Sequence, residues 1–454
     1  MNATEAYLCG VIEGFYGRPW TQSQRLRLVR SLGKLGLNTY LYAPKDDLRH
    51  RARWRELYPA AEAELLGELI AACTAAGVQF VYALAPGLDP NHGSPEGLAA
   101  LEQKVAQLRA LGARDFAVLF DDIIPAPASG QLGATEHDAR SQVAFAHHLA
   151  AWQRRRAPGG RLLFCPTPYC ERMSGPIAAS SYLSHLGATL DPAIGVLWTG
   201  PEIVSEIITP EHARTVAAVL RRPPVVWDNL FANDYDLRRL YLGPYAGRPR
   251  ALRAETSGVL LNPNCEFEAN HNALHTLGAW NRDAAYEPAH ANRAAWQDWQ
   301  ADWKLAGETG VMGLELLHLL GDILHLPFTL GPQVQTWRDD FAWLVREAPT
   351  AWGERGERFF ATARLIGDLF DQLTRLENRD LLHTVYRHGW ELKEEANLLV
   401  AYLRWLQSEP AAEARFFSAE HRPGTYRGGL VAELQRQLPM RRDGSFDHRL
   451  PQEE

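Results

Sequence analysis

The sequence predicts an α/β protein, a (β/α)8 TIM barrel followed by an all-α helical bundle, and three observations carry that expectation. Over the first ~290 residues, short β-branched or aromatic runs alternate with helical segments, the grammar of βα units on a parallel sheet. The runs number eight and recur every ~30 to 45 residues, room for a strand and its covering helix, and eight such units close into a barrel. Beyond Asn281 the strand-like runs stop, and long patterns rich in Trp, Leu, Arg and Glu replace them, as in an amphipathic bundle.

The expected strands are residues 7–12, 38–43, 78–84, 116–120, 161–165, 194–198, 225–227 and 258–261. Between the first two, Thr21 and Gln24 form a capping box, Leu26, Val29 and Leu32 make an apolar stripe, and Gly36 ends the helix. No repeat at the level of sequence accompanies the structural one. Helices are expected over 313–324, 334–346, 355–376 and 381–407, and a linker near 283–290, which sets the domains at 1–285 and 291–454. Trp296, Trp299 and Trp303 follow at helical spacing, which reads as core rather than as a ligand platform. Residues 441–454 read as a frayed end.

Composition bounds the function. The chain has 454 residues, 46% hydrophobic and 22% charged, as in a globular soluble protein. Its net charge of -7 argues against a nucleic-acid partner, which needs a basic face. Five scattered cysteines, Cys9, Cys73, Cys165, Cys170 and Cys265, offer no disulfide framework and fit a reducing compartment. The start lacks the pattern of a secretion signal and no apolar run reaches membrane-spanning length, so a cytoplasmic protein without membrane contact is expected. The Asn2–Ala3–Thr4 glycosylation pattern then reads as chance.

Active sites of such barrels lie at the C-terminal ends of the strands. Seven of the eight expected strand ends carry unusual residues: EGFYGRPW (13–20), PKDD (44–47), DD (121–122), PTPYC (166–170), TGPE (199–202), DNLFANDYD (228–236) and NPNCEFEAN (262–270). Each piece alone has a plainer reading, as a helix cap, a turn glycine, a solvated charge or a strand terminator. Cys165 reads as a small core residue, since no His stands at triad-like positions near it. His271 and His275 lack the third ligand and the HExxH pattern of a zinc site, and two aspartates make a weak cage for a divalent ion, so no metal and no cofactor is expected. Adjacent strand residues point to opposite faces. Asp121 and Asp122 therefore share a pocket only where the strand has ended and the backbone turns. Two carboxyls held close push one of their pKa values up, leaving one donor and one acceptor, as acid-assisted bond cleavage requires.

Together GVIEGFYGRPW, NTYLYAPKDD, FAVLFDD, FCPTPYC, VLWTGPE, WDNLFANDYD and LNPNCEFEAN resemble the motifs of glycoside hydrolase family 84, the O-GlcNAcases, and most nearly the animal type. LELLHLLGDILHLPF and YRGGLVAELQRQLP resemble that type's stalk domain. The resemblance implies a retaining exo-β-N-acetylglucosaminidase in which the substrate's own 2-acetamido oxygen attacks the anomeric carbon and forms an oxazoline. It implies that Asp121 orients the acetamido N–H and that Asp122 protonates the leaving oxygen and later activates water. Tyr169 and Asn229 would bond the acetamido oxygen, and Tyr16, Cys165, Thr199 and Trp227 would wall its methyl pocket. Gly14 and Lys45 would hold the 3-hydroxyl, Asp234 and Asn262 the 4- and 6-hydroxyls, and Tyr235 would touch the aglycone. Glu171, Arg172 and Met173 stand where the animal type has an aromatic residue, which puts peptide contacts in doubt. No acetyltransferase-like domain is expected after the bundle, and a homodimer through the helical domain is implied. Three other readings stay open: a hydrolase of cell-wall or hyaluronan-type fragments, a GlcNAc-binding protein without turnover, against which the intact aspartate pair speaks, and, remotely, a thiol or metal hydrolase.

Overall fold

In the computed structural model the described residues are 6–123, 134–156, 158–236, 238–307, 310–418 and 429–448. The Asn2–Thr4 pattern lies outside them. Eight strands, β1 (Leu8–Glu13), β2 (Thr39–Tyr42), β3 (Gln79–Leu84), β4 (Asp115–Leu119), β5 (Leu162–Cys165), β6 (Ile194–Trp198), β7 (Val225–Asp228) and β8 (Gly258–Leu261), close into a barrel in sequence order. Every pairing around the ring is parallel, and β1 closes it on β8, Leu8 against Gly258 and Val11 against Leu261. The eight-stranded barrel expected from the sequence is the fold observed. Gly10 is required at the first pairing: a Cβ there would stand 1.8 Å from the Thr39 carbonyl oxygen.

The strand period decides what fills the interior. Ile12, Leu41, Ala43, Val81, Ala83, Ala117, Leu119, Leu163, Cys165, Leu197, Val225, Trp227 and Leu260 form one buried cluster, at every second position of their strands. The alternate residues pack outward on the helices; the Phe120 ring lies 6.1 Å from Phe145. The first helix, α1 (Gln22–Leu35), has the expected capping box at Thr21 and Gln24 and ends at Gly36 with φ 69°. Its buried stripe is Leu28, Val29 and Leu32, with Leu26 only half-buried. Between β7 and β8 a 3-10 segment, Arg250–Glu255, stands in place of an α-helix.

Two buried ion pairs brace strand ends. Glu13, fully buried at the end of β1, receives Arg25 in two hydrogen bonds of 2.9 and 2.7 Å and also the Tyr40 hydroxyl. Asp228, fully buried at the end of β7, receives Arg248 at 2.8 and 2.7 Å and the Tyr245 hydroxyl at 2.8 Å.

A second unit comprises Asp236–Pro244, Glu268–Ala273 and Ala289–Glu454, the first unit comprising the rest. It is helical. Further helices α2 (Leu314–Ile323), α3 (Pro332–Leu344), α4 (Gly353–Thr374), α5 (Arg379–Gln407) and α6 (Gly429–Gln437) surround one apolar cluster. Trp296, Trp299 and Trp303 are in that core, with ring centroids 5.1 to 6.1 Å apart, as their spacing predicted. The expectation of a frayed end is corrected in part: Ser445–Phe446 pairs antiparallel with Phe416–Phe417, and Phe446 is 1% exposed, because an aromatic residue finds the core. Residues 449–454 lie outside the described ones.

Removing one partner of a buried ion pair strands the other charge. Arg248→Met is expected to lose about 3–5 kcal/mol of stability, read from the barrel's urea transition. The Asp228→Asn/Arg248→Met double variant is expected to lose less, and a single-variant loss below about 1 kcal/mol, the range of exposed pairs, would contradict the bracing role.

Candidate active site

The inward series of the barrel continues past the strand ends. After Ile12 comes Gly14, after Ala43 Lys45, after Leu119 Asp121, after Leu197 Thr199, after Trp227 Asn229, and after Leu260 Asn262. The next inward rung of six strands is therefore polar or open where the rungs below are apolar. These residues line a cavity of about 540 Å³ together with Tyr16, Asp122, Cys165, Tyr169, Trp227, Asp234 and Tyr235. All thirteen residues singled out from the sequence thus converge on one cavity. Ile203, Val204 and Ala232 also line it; the signal for the first two was an apolar pair directly after TGPE.

Asp122 breaks the alternation. As the next residue of β4 after an inward Asp121 it would face outward, but its φ is 51°, in the left-handed region that Asp tolerates better than most side chains. The turn brings its carboxylate back over the barrel mouth. There it accepts the Tyr169 hydroxyl on Oδ1 at 2.8 Å and the Tyr16 hydroxyl on Oδ2 at 3.0 Å.

Asp121 lies deeper, 5% exposed. Its Oδ2 takes the ammonium of Lys45, which also stands 3.9 Å from Asp122 Oδ2. Burial alone would push the Asp121 carboxyl up; the Lys45 ammonium, with Arg51 and His50 adding to it, outweighs burial and holds it below the usual carboxylate range. A lowered Asp121 is in keeping with the acceptor role expected of it, and its cause is a cation, where the expectation considered only the two carboxyls. Asp121 Oδ1 is buried and has no hydrogen-bond partner among the described residues.

The opposite wall is built the same way. Asn229 Oδ1 accepts from Asn262 Nδ2 at 2.9 Å, and Asn229 Nδ2 donates to the Ile203 carbonyl at 2.7 Å. Asp234 accepts the Tyr16 main-chain N–H at 2.9 Å, and burial, with Asp122 adding to it, pushes its carboxyl up. Trp227 Nε1 and Asn262 Oδ1 are buried without hydrogen-bond partners among the described residues. At Gly14 a Cβ would meet Trp227 Cζ2 at 2.5 Å, so glycine keeps that wall open. The Cys165 thiol is buried and burial pushes it far up, the opposite of a nucleophilic cysteine. Among the described residues no three His, Cys, Asp or Glu side chains gather as a metal site, and His271 stacks on Trp299 at 5.2 Å.

Residues 9–309 match the family model described as NAGidase, beta-N-acetylglucosaminidase. The chain belongs to this family. It is therefore a glycoside hydrolase, and the O-GlcNAcase resemblance of its motifs holds. It is 28% identical to the Protein O-GlcNAcase of Mus musculus and to that of Rattus norvegicus, over 97% of this chain and 70% of each relative. The solved structure of a mutant O-GlcNAc hydrolase of Thermobaculum terrenum superposes with a TM-score of 0.77 at 25% identity, covering 89% of this chain and 86% of that one. No helix among the described residues is long and apolar enough to cross a membrane.

The Lys45 contact fixes a sign. A carboxyl lowered on folding contributes stability above its ordinary range, lost as pH falls through the lowered value. Lys45→Met removes the outweighing cation and leaves burial in command, so the acid limb of kcat/KM for an aryl N-acetyl-β-glucosaminide is expected to move to higher pH. An unmoved limb would show that the ammonium does not govern Asp121.

Proposed function

We propose that this hydrolase cleaves β-linked N-acetylglucosamine with retention, using the substrate's 2-acetamido group as its nucleophile. One observation carries the reading: Asp121 offers a buried carboxylate oxygen, Oδ1, that nothing among the described residues bonds, while Lys45 holds the other in its charged form. A buried, unpartnered acceptor is costly unless a ligand donor completes it, and an amide N–H is a donor of the right kind.

In the first step the acetamido oxygen bonds to the anomeric carbon as the glycosidic C–O bond breaks. Asp122 gives its proton to the departing oxygen, and Asp121 holds the N–H of the resulting oxazoline ring, where positive charge develops. In the second step Asp122 takes a proton from water as that water attacks the anomeric carbon and reopens the ring. Two inversions give retention, and substrate-assisted enzymes are the noted exception to the scheme with a separate protein nucleophile. The Tyr169 hydroxyl exchanges Asp122 for the acetamido oxygen when substrate binds, and the second N–H of Asn229 Nδ2 reaches the same oxygen. Cys165, Thr199, Trp227 and Tyr16 enclose the methyl group. Gly14 and Lys45 take the 3-hydroxyl; Asn262, whose Oδ1 is open, and Asp234 take the 4- and 6-hydroxyls. Such positioning supplies up to about 7–11 kcal/mol in the best intramolecular cases.

The substrate proposed is the sugar on serine or threonine of a protein or peptide, in keeping with the names of the relatives and with Tyr235 and Ile203, 55% and 42% exposed at the mouth. Residues 1–285 are proposed as the catalytic domain. Pairing of two copies through helical residues 291–454 is proposed too, with Tyr386 and Trp390 exposed four residues apart on α5 as an apolar face for it. A cytoplasmic location fits five free thiols.

Asp122→Asn is expected to lower turnover by about 100-fold or more on a serine-linked glycopeptide and far less on a nitrophenyl glycoside, whose leaving group needs no proton; equal losses on both would remove the acid role. Asp121→Asn is expected to depress both substrates alike, and a variant at full rate would contradict the orienting role.

A further inference from the structure

Arg51 is a buried cation with no carboxylate in contact among the described residues, its charge being felt at Asp121 only from a distance. It is 7% exposed, and among the described residues no carboxylate pairs with it; Nη1 has no hydrogen-bond partner at all. Its hydrogen bond goes from Nη2 to the main-chain carbonyl of Asp122, at 3.0 Å. Its guanidinium also lies 5.7 Å from the centroid of the Tyr16 ring, whose hydroxyl donates to Asp122 Oδ2. Both contacts converge on the one residue of the site whose backbone is left-handed. A buried charge with so little compensation is unfavourable for stability and calls for a purpose elsewhere.

We propose that Arg51 is a positioning residue that holds the Asp122 turn, and through it the reach of the Asp122 carboxyl toward the leaving oxygen. The segment carrying it is fixed independently of the substrate. The His50 carbonyl accepts the Ala85 N–H at 2.9 Å, His50 Nδ1 lies 2.7 Å from the Ala83 carbonyl, and the Arg51 N–H bonds the Asp47 carbonyl at 3.3 Å. The loop after β2 is thereby pinned to β3, and the guanidinium spans to the end of β4. Held on Nη2, the Asp122 carbonyl keeps its peptide plane, and with it the φ that returns the side chain to the cavity. The Tyr16 ring, packed under the same guanidinium, keeps its hydroxyl on the carboxylate. Arg51 itself does not line the cavity; it acts on the site through Asp122 and Tyr16, and its charge also adds to that of Lys45 in keeping the Asp121 carboxyl low.

The proposal rests on the acid role given to Asp122, and the test separates the two. Arg51→Met keeps the side-chain bulk and removes a buried charge that no carboxylate contacts, so a folded protein is expected. On a serine-linked glycopeptide kcat/KM should fall about 10- to 100-fold, a part of what a general acid contributes, and on the nitrophenyl glycoside by less than about 3-fold, with KM little changed on both. In the Asp122→Asn background Arg51→Met should cost nothing further, since groups acting as one unit are non-additive. Arg51→Lys, which keeps one donor but not the planar face over Tyr16, should fall between, and it decides the matter if Arg51→Met does not fold. Equal losses on both substrates, or a full further loss in the Asp122→Asn background, would overturn the role of Arg51 while leaving Asp122 as acid. Should Asp122→Asn itself lose equally on both substrates, it is the acid assignment that fails.

Discussion

Two neighbouring residues of a β-strand cannot both look into the barrel they line. The site is organised around a place where that rule is evaded, the turn after β4. Ala117, Leu119 and Asp121 continue one inward series, and the φ of 51° at Asp122 folds the next carboxylate back over the same cavity. Left-handed backbone at a non-glycine residue is rare and concentrates at functional sites. Here it converts one inward acid into two, at different depths: Asp121 buried beside Lys45, Asp122 more exposed and between two tyrosine hydroxyls.

The two depths separate the chemistry of identical side chains. Lys45 makes the deeper acid a fixed anion, with one oxygen committed and the other open. The shallower carboxylate accepts two tyrosine hydroxyls, one on each oxygen. Beneath them the barrel is braced where its loops depart. Glu13 with Arg25 and Asp228 with Arg248 sit at the ends of β1 and β7, the strands that carry Gly14 and Asn229. Buried pairs of this kind add little net stability compared with apolar packing, but they tolerate no substitution of one partner, which keeps the rim in one arrangement.

Much of this was legible in the sequence, for identifiable reasons. Strand alternation is local, so the eight runs and their polar ends could be read directly, and with them the residues that now line one cavity. Carrying the inward series one step past each strand would have singled out Gly14, Lys45, Asp121, Thr199, Asn229 and Asn262 without any resemblance to a known family. What could not be read was contact between distant segments. Lys45 and Asp121 are 76 positions apart, and nothing in PKDD distinguishes a buried partner from a solvated charge. The direction of Asp122 was hidden because aspartate enters left-handed backbone without a glycine to announce it. Arg51 lies in a polar loop among Arg49 and Arg53 and carries no local signal. Leu240 and Leu242 join the helical unit's core from within a barrel loop, where no change of composition marks them. Strands of two residues, such as Ser445–Phe446, are too short to show a period.

The account depends on the open oxygen of Asp121 meeting an amide that is itself the attacking group. The most direct measurement is the rate of cleavage of aryl β-glucosaminides whose N-acyl group carries zero, one, two or three fluorines, which weaken the amide oxygen as a nucleophile while leaving the aglycone unchanged. A steep, monotonic fall in kcat/KM along the series is the result predicted. A flat series would mean that the attacking atom belongs to the protein or to water, and that the convergence of the two aspartates serves some other chemistry.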